Sequence, residues 1–225
     1  GASGSVGTKS AYDAAQDGYT WAAGAAADLG GYKVLGLLDT TWDDWILYLT
    51  VANVSVVGVN ANAPYKDIPQ LFADLQARPG QVAIGTAGVS SAGHNAIESL
   101  RRFVKFDYKH VTYDGGNPAV IATVAGEVQI TTQLPVEQAD MISGGKIRAL
   151  AVLDDKPLKL RNMTIPPITN WLPQYKAAPN YCGIWIRKTA PPAVIEAMNQ
   201  VWETKIKNSQ KLMAYAQDRG AVFNP

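Results

Sequence analysis

Residues 81–103 decide the fold, and they read Gln81-Val-Ala-Ile-Gly-Thr-Ala-Gly-Val-Ser-Ser-Ala-Gly-His-Asn-Ala-Ile-Glu-Ser-Leu-Arg-Arg-Phe103. The apolar run at 81–84 predicts a buried strand, the glycines after it predict a loop, and 92–103 predicts a helix. Such a loop leaves backbone N–H groups free at the positive end of the helix dipole, where they can bind an anion. The same residues are also typical of an ordinary strand-to-helix turn with a serine cap. Because such turns are common, the residues alone slightly favour this second interpretation over an anion site.

Strand and helix patterns alternate around this segment. Residues 67–77 carry an apolar stripe at helical spacing, and short apolar runs at 108–112, 128–132 and 147–152 predict strands. This alternation predicts an α/β fold with largely parallel sheets. The carboxyl ends of parallel strands line one crevice, so the loop at 113–117 and the strand end at Thr132 are expected beside the loop at 85–91.

The composition excludes several classes of protein. The chain has 225 residues, of which 47% are hydrophobic and 17% charged, and its formal net charge is +1. The net charge therefore does not indicate nucleic acid or an anionic membrane as a partner. The single cysteine, Cys182, excludes an internal disulfide and a cysteine-based zinc site, and two histidines alone cannot form a transition-metal site. No apolar run approaches the length of a membrane span, and we expect neither a metal nor a cofactor.

Catalysis is the main alternative to binding. Ser90 or Ser91 could act as a nucleophile with His94 as its base, as in a serine hydrolase. The segment matches neither the phosphate-binding P-loop nor the nucleophile elbow of hydrolases. Residues three or four apart at a helix start more often form a cap and its neighbour. His110, in the middle of a predicted strand, is interpreted as a packed histidine.

Motifs in order along the whole chain resemble one family, the Bug-type solute receptors of tripartite tricarboxylate transporters. The matching segments are Gly1-Ala-Ser-Gly-Ser-Val-Gly7, Asp17-Gly-Tyr-Thr20, Asp44-Trp45, Gly85 to His94, His110-Val-Thr-Tyr-Asp-Gly115, Gly145-Lys-Ile-Arg-Ala-Leu-Ala-Val152, and Trp185 to Pro192. No single segment is specific to the family, but their order is.

The resemblance implies a two-lobed fold of the type II periplasmic-binding-protein kind. Two mostly parallel sheets flanked by helices would be joined by two crossing strands, near 56–64 and 181–188. One lobe would comprise residues 1–62 plus 180–225, and the other residues 63–179. The resemblance also implies a periplasmic monomer whose signal peptide has been removed, which fits a chain that begins at Gly1 without methionine.

The resemblance further implies a ligand cleft between the lobes that holds a small carboxylate, such as an organic acid, an amino acid or an aromatic acid. Membrane permease subunits would be the partner, and no residue would be catalytic. A sensory or scaffold role without transport is the other alternative. The implied ligand contacts are Ala25, Ala26, Gly85, Thr86, Ala87, Gly88, Val89, Ser90, Ser91, His94, Tyr113, Asp114, Gly115 and Thr132.

Three departures from the family pattern bear on the ligand. The family has a strand and a Pro-Gly-Gly loop before the segment that starts at Gly1, and often a hydroxyl residue at the position of Ala25. Asp114 stands where the family has lysine. An aspartate near the cleft disfavours a second ligand carboxylate, unless it points away or receives a ligand amine.

Overall fold

The structure is a computed structural model that describes residues 2–225, so Gly1 of the glycine-rich opening lies outside the described residues. The helices are α1 Ser5–Asp13, α2 Ala26–Gly31, α3 Ile68–Ala77, α4 Ala92–Arg101, α5 Gly116–Ala125, α6 Pro135–Ser143, α7 Pro192–Val201 and α8 Gln210–Asp218. The strands are β1 Ala22–Ala25, β2 Trp45–Asn53, β3 Val56–Asn60, β4 Ala83–Thr86, β5 Lys109–Thr112, β6 Ile130–Thr131, β7 Ile147–Val152, β8 Leu158–Leu160, β9 Met163–Ile165, β10 Asn180–Arg187 and β11 Val222–Phe223.

Helix α3 shows how the local signals determine an element. Asp67 precedes the helix, and its side chain accepts a hydrogen bond of 2.9 Å from the Gln70 N–H, which caps the first turn. The predicted apolar stripe faces inward, since Ile68, Leu71 and Leu75 are all buried. The helix thereby covers one face of the second sheet, where these side chains join the largest core cluster.

The second sheet has the strand order β5-β4-β6-β3-β7. Strand β4 pairs in parallel with β5 and β6, whereas β3 pairs antiparallel with β6 and β7. The carboxyl ends of β4 and β5 therefore lie at one edge of the sheet, which brings the loops at 87–91 and 113–115 together as expected.

The first sheet has the order β1-β10-β2-β11, and every pair in it is antiparallel. The two-lobed α/β architecture is confirmed, but the expectation of mostly parallel strands is wrong for this sheet. Strand β2 carries the chain away from the first lobe and β10 brings it back, so the two strands run in opposite directions where they pair.

The first crossing between the lobes lies slightly earlier than expected. Asn53, the last residue of β2, pairs with Asn180, the first residue of β10, within the first sheet. Strand β3 already belongs to the second sheet, so the chain passes between the lobes at residues 54–55. The division of the chain at 62 and 180 stays a prediction, and the pairing of β3 supports moving its first boundary to about residue 54.

The C-terminal helix joins the lobes a third time. Helix α8 packs against the hairpin formed by β8 and β9, and Asp218 and Arg219 form ion pairs with Arg161 and Asp140 of the second lobe. The chain then returns to the first sheet, where β11 pairs with β2. No helix in residues 2–225 combines the length and the apolar character that a bilayer span requires.

Candidate functional site

The junction between β4 and α4 is held together by its own side chains. The Ser91 hydroxyl caps the helix by accepting a hydrogen bond of 3.3 Å from the His94 N–H. The Ser90 N–H donates to His94 Nδ1 at 3.0 Å, and the Asn95 amide donates to the Ser90 carbonyl at 2.9 Å. Ser90 adopts φ +63°, a left-handed conformation that costs energy in a serine. The His94 ring and the Asn95 amide therefore fix Ser90 in this conformation.

The end of β4 is fixed in the same way. Thr86 is fully buried, and its hydroxyl lies 2.6 Å from His110 Nε2. Burial lowers the pKa of His110, and the neighbouring His94 lowers it further. Burial also lowers the pKa of His94. Both rings are therefore favoured in their neutral form, in which His94 Nδ1 can accept the Ser90 N–H.

Three adjoining cavities separate this junction from the first lobe. The loop cavity, of about 630 Å³, lies between Leu35 and Leu37 of the first lobe and the loops of the second lobe. The serine cavity, of about 280 Å³, lies between helix α2 and Ser90. The hinge cavity, of about 380 Å³, extends along α4 to Asn53 and Asn180. Ser3 lines the first two cavities, and Asn95 lines the last two.

Ten of the fourteen expected contact residues fall into two groups. Five of them line the loop cavity and one lines the serine cavity; these are Ala87, Gly88, Val89, Tyr113 and Asp114, and Ser90. A second group is buried behind the cavities and supports the junction; it comprises Gly85, Thr86, Ser91 and Thr132. The Thr132 hydroxyl, for example, donates to the Gly93 carbonyl at 2.6 Å. The hydrogen of the Thr132 hydroxyl is therefore already used in a bond within the second lobe.

Helix α5 offers its N-terminus to a protein side chain. Gly115 precedes the helix with φ +125°, and the Glu137 carboxylate occupies the space where Gly116 would carry a Cβ. The positive end of the α5 dipole therefore faces Glu137. Glu137 also accepts a hydrogen bond from the Leu134 N–H at 3.1 Å. Burial nevertheless raises the pKa of Glu137.

In the first lobe, the contacts lie further along helix α2 than expected. Ala25 is half-buried at the end of β1, and Ala26 is buried, with its carbonyl accepting from the Trp42 indole at 2.8 Å. Ala27 and Asp28, one and two residues later, line the serine cavity. The region 25–47 carries few regular signals in the sequence, so sequence reasoning missed this short helix and Asp28 with it.

Polar residues at the crossing strands were also missed. Asn53 Oδ1 and both polar side-chain atoms of Asn180 are buried, and no hydrogen-bond partner for them exists among the residues that the structure describes. The Asn53 amide contacts the Cys182 sulfur at 3.8 Å. Burial raises the pKa of the Cys182 thiol to about 11, so this cysteine stays protonated and unreactive at neutral pH.

The junction does not form a nucleophile–base pair. The ring of His94 is bonded to the backbone N–H of Ser90, and the Ser91 hydroxyl is bonded to the backbone of His94 rather than to its ring. A serine nucleophile requires a hydrogen bond from its hydroxyl to the base. Residues 2–225 hold no group of three or more His, Cys, Asp or Glu side chains placed to bind a metal ion.

Two α/β lobes, crossing strands between them and cavities at their junction are the architecture of a two-lobed binding protein. The model of the tripartite tricarboxylate transporter family receptor matches residues 1–220, and the chain belongs to this family. The resemblance in the ordered motifs is thereby confirmed.

Relatives and solved structures agree with this assignment. The chain is 31% identical over 147 residues to the UPF0065 protein in the tcbD-tcbE intergenic region of Pseudomonas sp. (strain P51), which covers 64% of the chain and 43% of the relative. It is 24% identical over 224 residues to protein BugT of Bordetella pertussis, covering 96% of the chain and 67% of BugT. The structure of MatC from Rhodopseudomonas palustris with bound malate superposes with a TM-score of 0.86 at 20% identity, over 99% of this chain and 75% of MatC. That likeness shows the fold.

Proposed function

We propose that this chain is a periplasmic solute-binding receptor that captures a small carboxylate between its lobes and delivers it to the permease subunits of a tripartite tricarboxylate-type transporter. The family supports the receptor role. The carboxylate is supported by MatC, the neighbour of similar fold that was solved with malate.

One observation carries the proposal: the junction of β4 and α4 faces the first lobe across an open cavity. Ser90 lines the serine cavity opposite Tyr32 and Asp28. The first N–H groups of a helix have no partner within the helix, and at α4 the Ser91 cap satisfies only that of His94. The N–H groups of Ala92 and Gly93 and the Ser90 hydroxyl are therefore the donors that we assign to the ligand carboxylate.

A helix dipole and hydroxyls can hold a carboxylate without an arginine or lysine. A charge at a helix N-terminus gains roughly 0.3–2 kcal/mol from the dipole, and hydrogen bonds to a charged group add about 1.5–3 kcal/mol each. An anchor of this kind leaves no unpaired cation in the open receptor.

The test is a thermal-shift screen against a panel of mono-, di- and tricarboxylates, followed by calorimetry on the hits. A ligand that binds only the native state raises the melting temperature by mass action. The Ser90→Ala variant should weaken binding about tenfold. Ser143→Ala, at an exposed serine of the same lobe, is the matched control and should bind normally. If no carboxylate shifts the melting temperature of the protein at its full natural length, the proposal is wrong.

A further inference from the structure

A cluster of four charged side chains binds the C-terminal helix α8 to the second lobe. These are Asp140 from α6, Arg161 from the turn between β8 and β9, and Asp218 and Arg219 at the end of α8. Arg161 donates to Asp140 at 2.7 Å and to Asp218 at 3.2 Å, and Arg219 donates to Asp140 at 2.8 Å. Both arginine side chains are only 29% exposed, so salt and water screen these pairs less than pairs on an open surface. The cluster therefore fixes the end of α8 against the second lobe.

Apolar packing holds the same end of α8. Ala216 is fully buried, and β8 of the second lobe is one of the elements on which α8 packs. A Cβ at Gly220 would lie 3.1 Å from both Leu160 of β8 and Pro135 of α6, so the backbone itself lies close against the second lobe. Charge pairing and packing thus act together at one place.

The conformation of Arg161 indicates that the protein maintains this cluster at an energetic cost. Leu160 pairs with Met163, so Arg161 and Asn162 form a two-residue turn between the strands. Arg161 has φ +51°, a left-handed backbone conformation for which this turn position usually carries glycine. Such a conformation in arginine costs energy, and it persists where surrounding contacts enforce it. The bonds of the guanidinium group to two carboxylates are contacts of this kind.

A link of two residues separates the cluster from the first sheet. Beyond Arg219, residues 220–221 lead into β11, where Val222 pairs with Ala52 of β2. The three Cα–Cα steps from Arg219 to Val222 span at most about 11 Å. Ala52 directly precedes Asn53, where the chain leaves the first sheet for the second lobe. The link is therefore short, and it is fixed to the second lobe at one end and beside the hinge at the other.

We propose that the charged cluster, the link 220–221 and β11 form a brace across the hinge, which limits how far the two lobes rotate in the empty receptor. Hinge strands absorb lobe rotation by changes in a few backbone angles. A third connection beside them that is fixed at both ends and has little slack restricts this rotation. Fewer open states lower the conformational cost of closing on a ligand. The brace goes beyond the proposed function, because it does not depend on which solute the receptor captures.

Distances between the lobes in the ligand-free protein at its full natural length test the brace. Spin labels at Ala77→Cys in the second lobe and Lys205→Cys in the first, both at exposed positions, report this distance by double electron–electron resonance. The native Cys182 should stay unlabelled, because burial raises the pKa of its thiol to about 11.

Arg161→Gly removes the cation that joins two of the acids and suits the backbone of the turn, so the variant should still fold. Its distance distribution should be wider than that of the wild type by about half or more, because more lobe orientations become populated. Lys159→Gln removes an exposed cation from the same hairpin, outside the cluster, and should leave the distribution unchanged. Equal distributions for the wild type and Arg161→Gly would overturn the brace.

Salt provides a second reading that needs no change in the brace itself. In about 1 M NaCl, where the screening length is roughly 3 Å, the distribution of the wild type should widen towards that of Arg161→Gly, which should itself change little. A wild type that does not respond to salt would contradict the proposal even if Arg161→Gly failed to fold. An equal response of both proteins would also overturn it, because other charges would then control the lobes.

Discussion

The imidazole rings of His94 and His110 are stacked, with their centroids 4.3 Å apart and their planes within 6° of parallel. These are the two histidines of the chain. His94 accepts a hydrogen bond from the Ser90 N–H, and His110 lies against the Thr86 hydroxyl. The pair therefore supports both ends of the loop at 85–91. Glu98 lies 4.0 Å from His94 Nε2 and opposes the lowering of its pKa, while Tyr108 packs beside His110. Two stacked rings at this distance cannot both accept a proton without strong repulsion.

Acidification should therefore loosen the binding loop. Both histidines have a folded-state pKa below the ordinary value of 6.5. The stability that their neutral rings contribute is therefore fully present above about pH 6.5. It is lost as the pH falls through the lowered folded-state pKa. A proton on His94 Nδ1 would also oppose the Ser90 N–H. We expect the melting temperature and the ligand affinity to fall together below about pH 6.5, as measured by thermal unfolding and calorimetry from pH 4.5 to 8.

The double variant His94→Asn and His110→Gln provides the control for this effect. The amide side chains can accept or donate at the same places but do not titrate. The variant should fold and should lose less stability than the wild type between pH 7.5 and pH 5. An identical loss in both proteins would show that other groups cause the acid sensitivity.

Gly93 should be intolerant of any side chain. A Cβ at this position would overlap the Gln133 amide, and the Thr132 carbonyl lies close behind it. Gln133 is 1% exposed and cannot swing into solvent. Gly93→Ala should therefore cost roughly 1–3 kcal/mol of unfolding free energy, and it should weaken ligand binding by displacing the first turn of α4.

Gly7→Ala is the matched control, because Gly7 lies in α1 with open space around it. It should be neutral or stabilise the protein by up to about 1 kcal/mol. Denaturant unfolding of both variants measures the contrast.

The binding loop could be predicted from the sequence because its determinants are local. Glycines, the serine cap and the apolar runs on either side of 85–91 lie within one continuous segment. The same holds for helix α3, where Asp67 and the apolar stripe define the start and the buried face.

The rest of the site depends on contacts between distant segments. The charge of Glu137, on α6, raises the pKa of Asp28, on α2, although the two residues are far apart in the sequence. Neither residue carries a local signal of a site. Helix α2 is short and contains two glycines, so its pattern resembles a loop. The antiparallel direction of β10 follows from the path of the chain between the lobes. The spacing of apolar residues along the sequence carries no information about that path.

Asp140 should contribute to stability in a salt-dependent way. Its carboxylate accepts from Arg161 at 2.7 Å and from Arg219 at 2.8 Å, and thereby ties helix α8 to the second lobe. The two guanidinium groups hold its pKa below the usual range. Asp140→Asn should lower the melting temperature in low salt, and most of the difference should vanish in about 1 M NaCl, where the screening length is roughly 3 Å. Glu196→Gln, at an exposed acid with no ion pair in residues 2–225, should show no such dependence.

Asp28 should destabilise the empty protein as the pH rises, whatever the ligand is. Its folded-state pKa is about 7 against an ordinary value of 3.8. An acid with a raised folded-state pKa favours the folded protein while it is protonated. This contribution to stability is fully present below the ordinary pKa and is lost as the pH rises through the folded-state pKa. Asp28→Asn does not titrate, so the variant should gain on the wild type between pH 4 and pH 7. The gain should reach roughly 1–3 kcal/mol and stay constant above that range, since each unit of pKa difference is worth at most about 1.4 kcal/mol.

Urea unfolding of both proteins at pH 4, 5.5, 7 and 8 measures this gain in stability, with Asp43→Asn as the control. A variant that is less stable than the wild type at pH 8 would mean that the ionised Asp28 has a favourable partner within the protein, and would contradict the raised pKa.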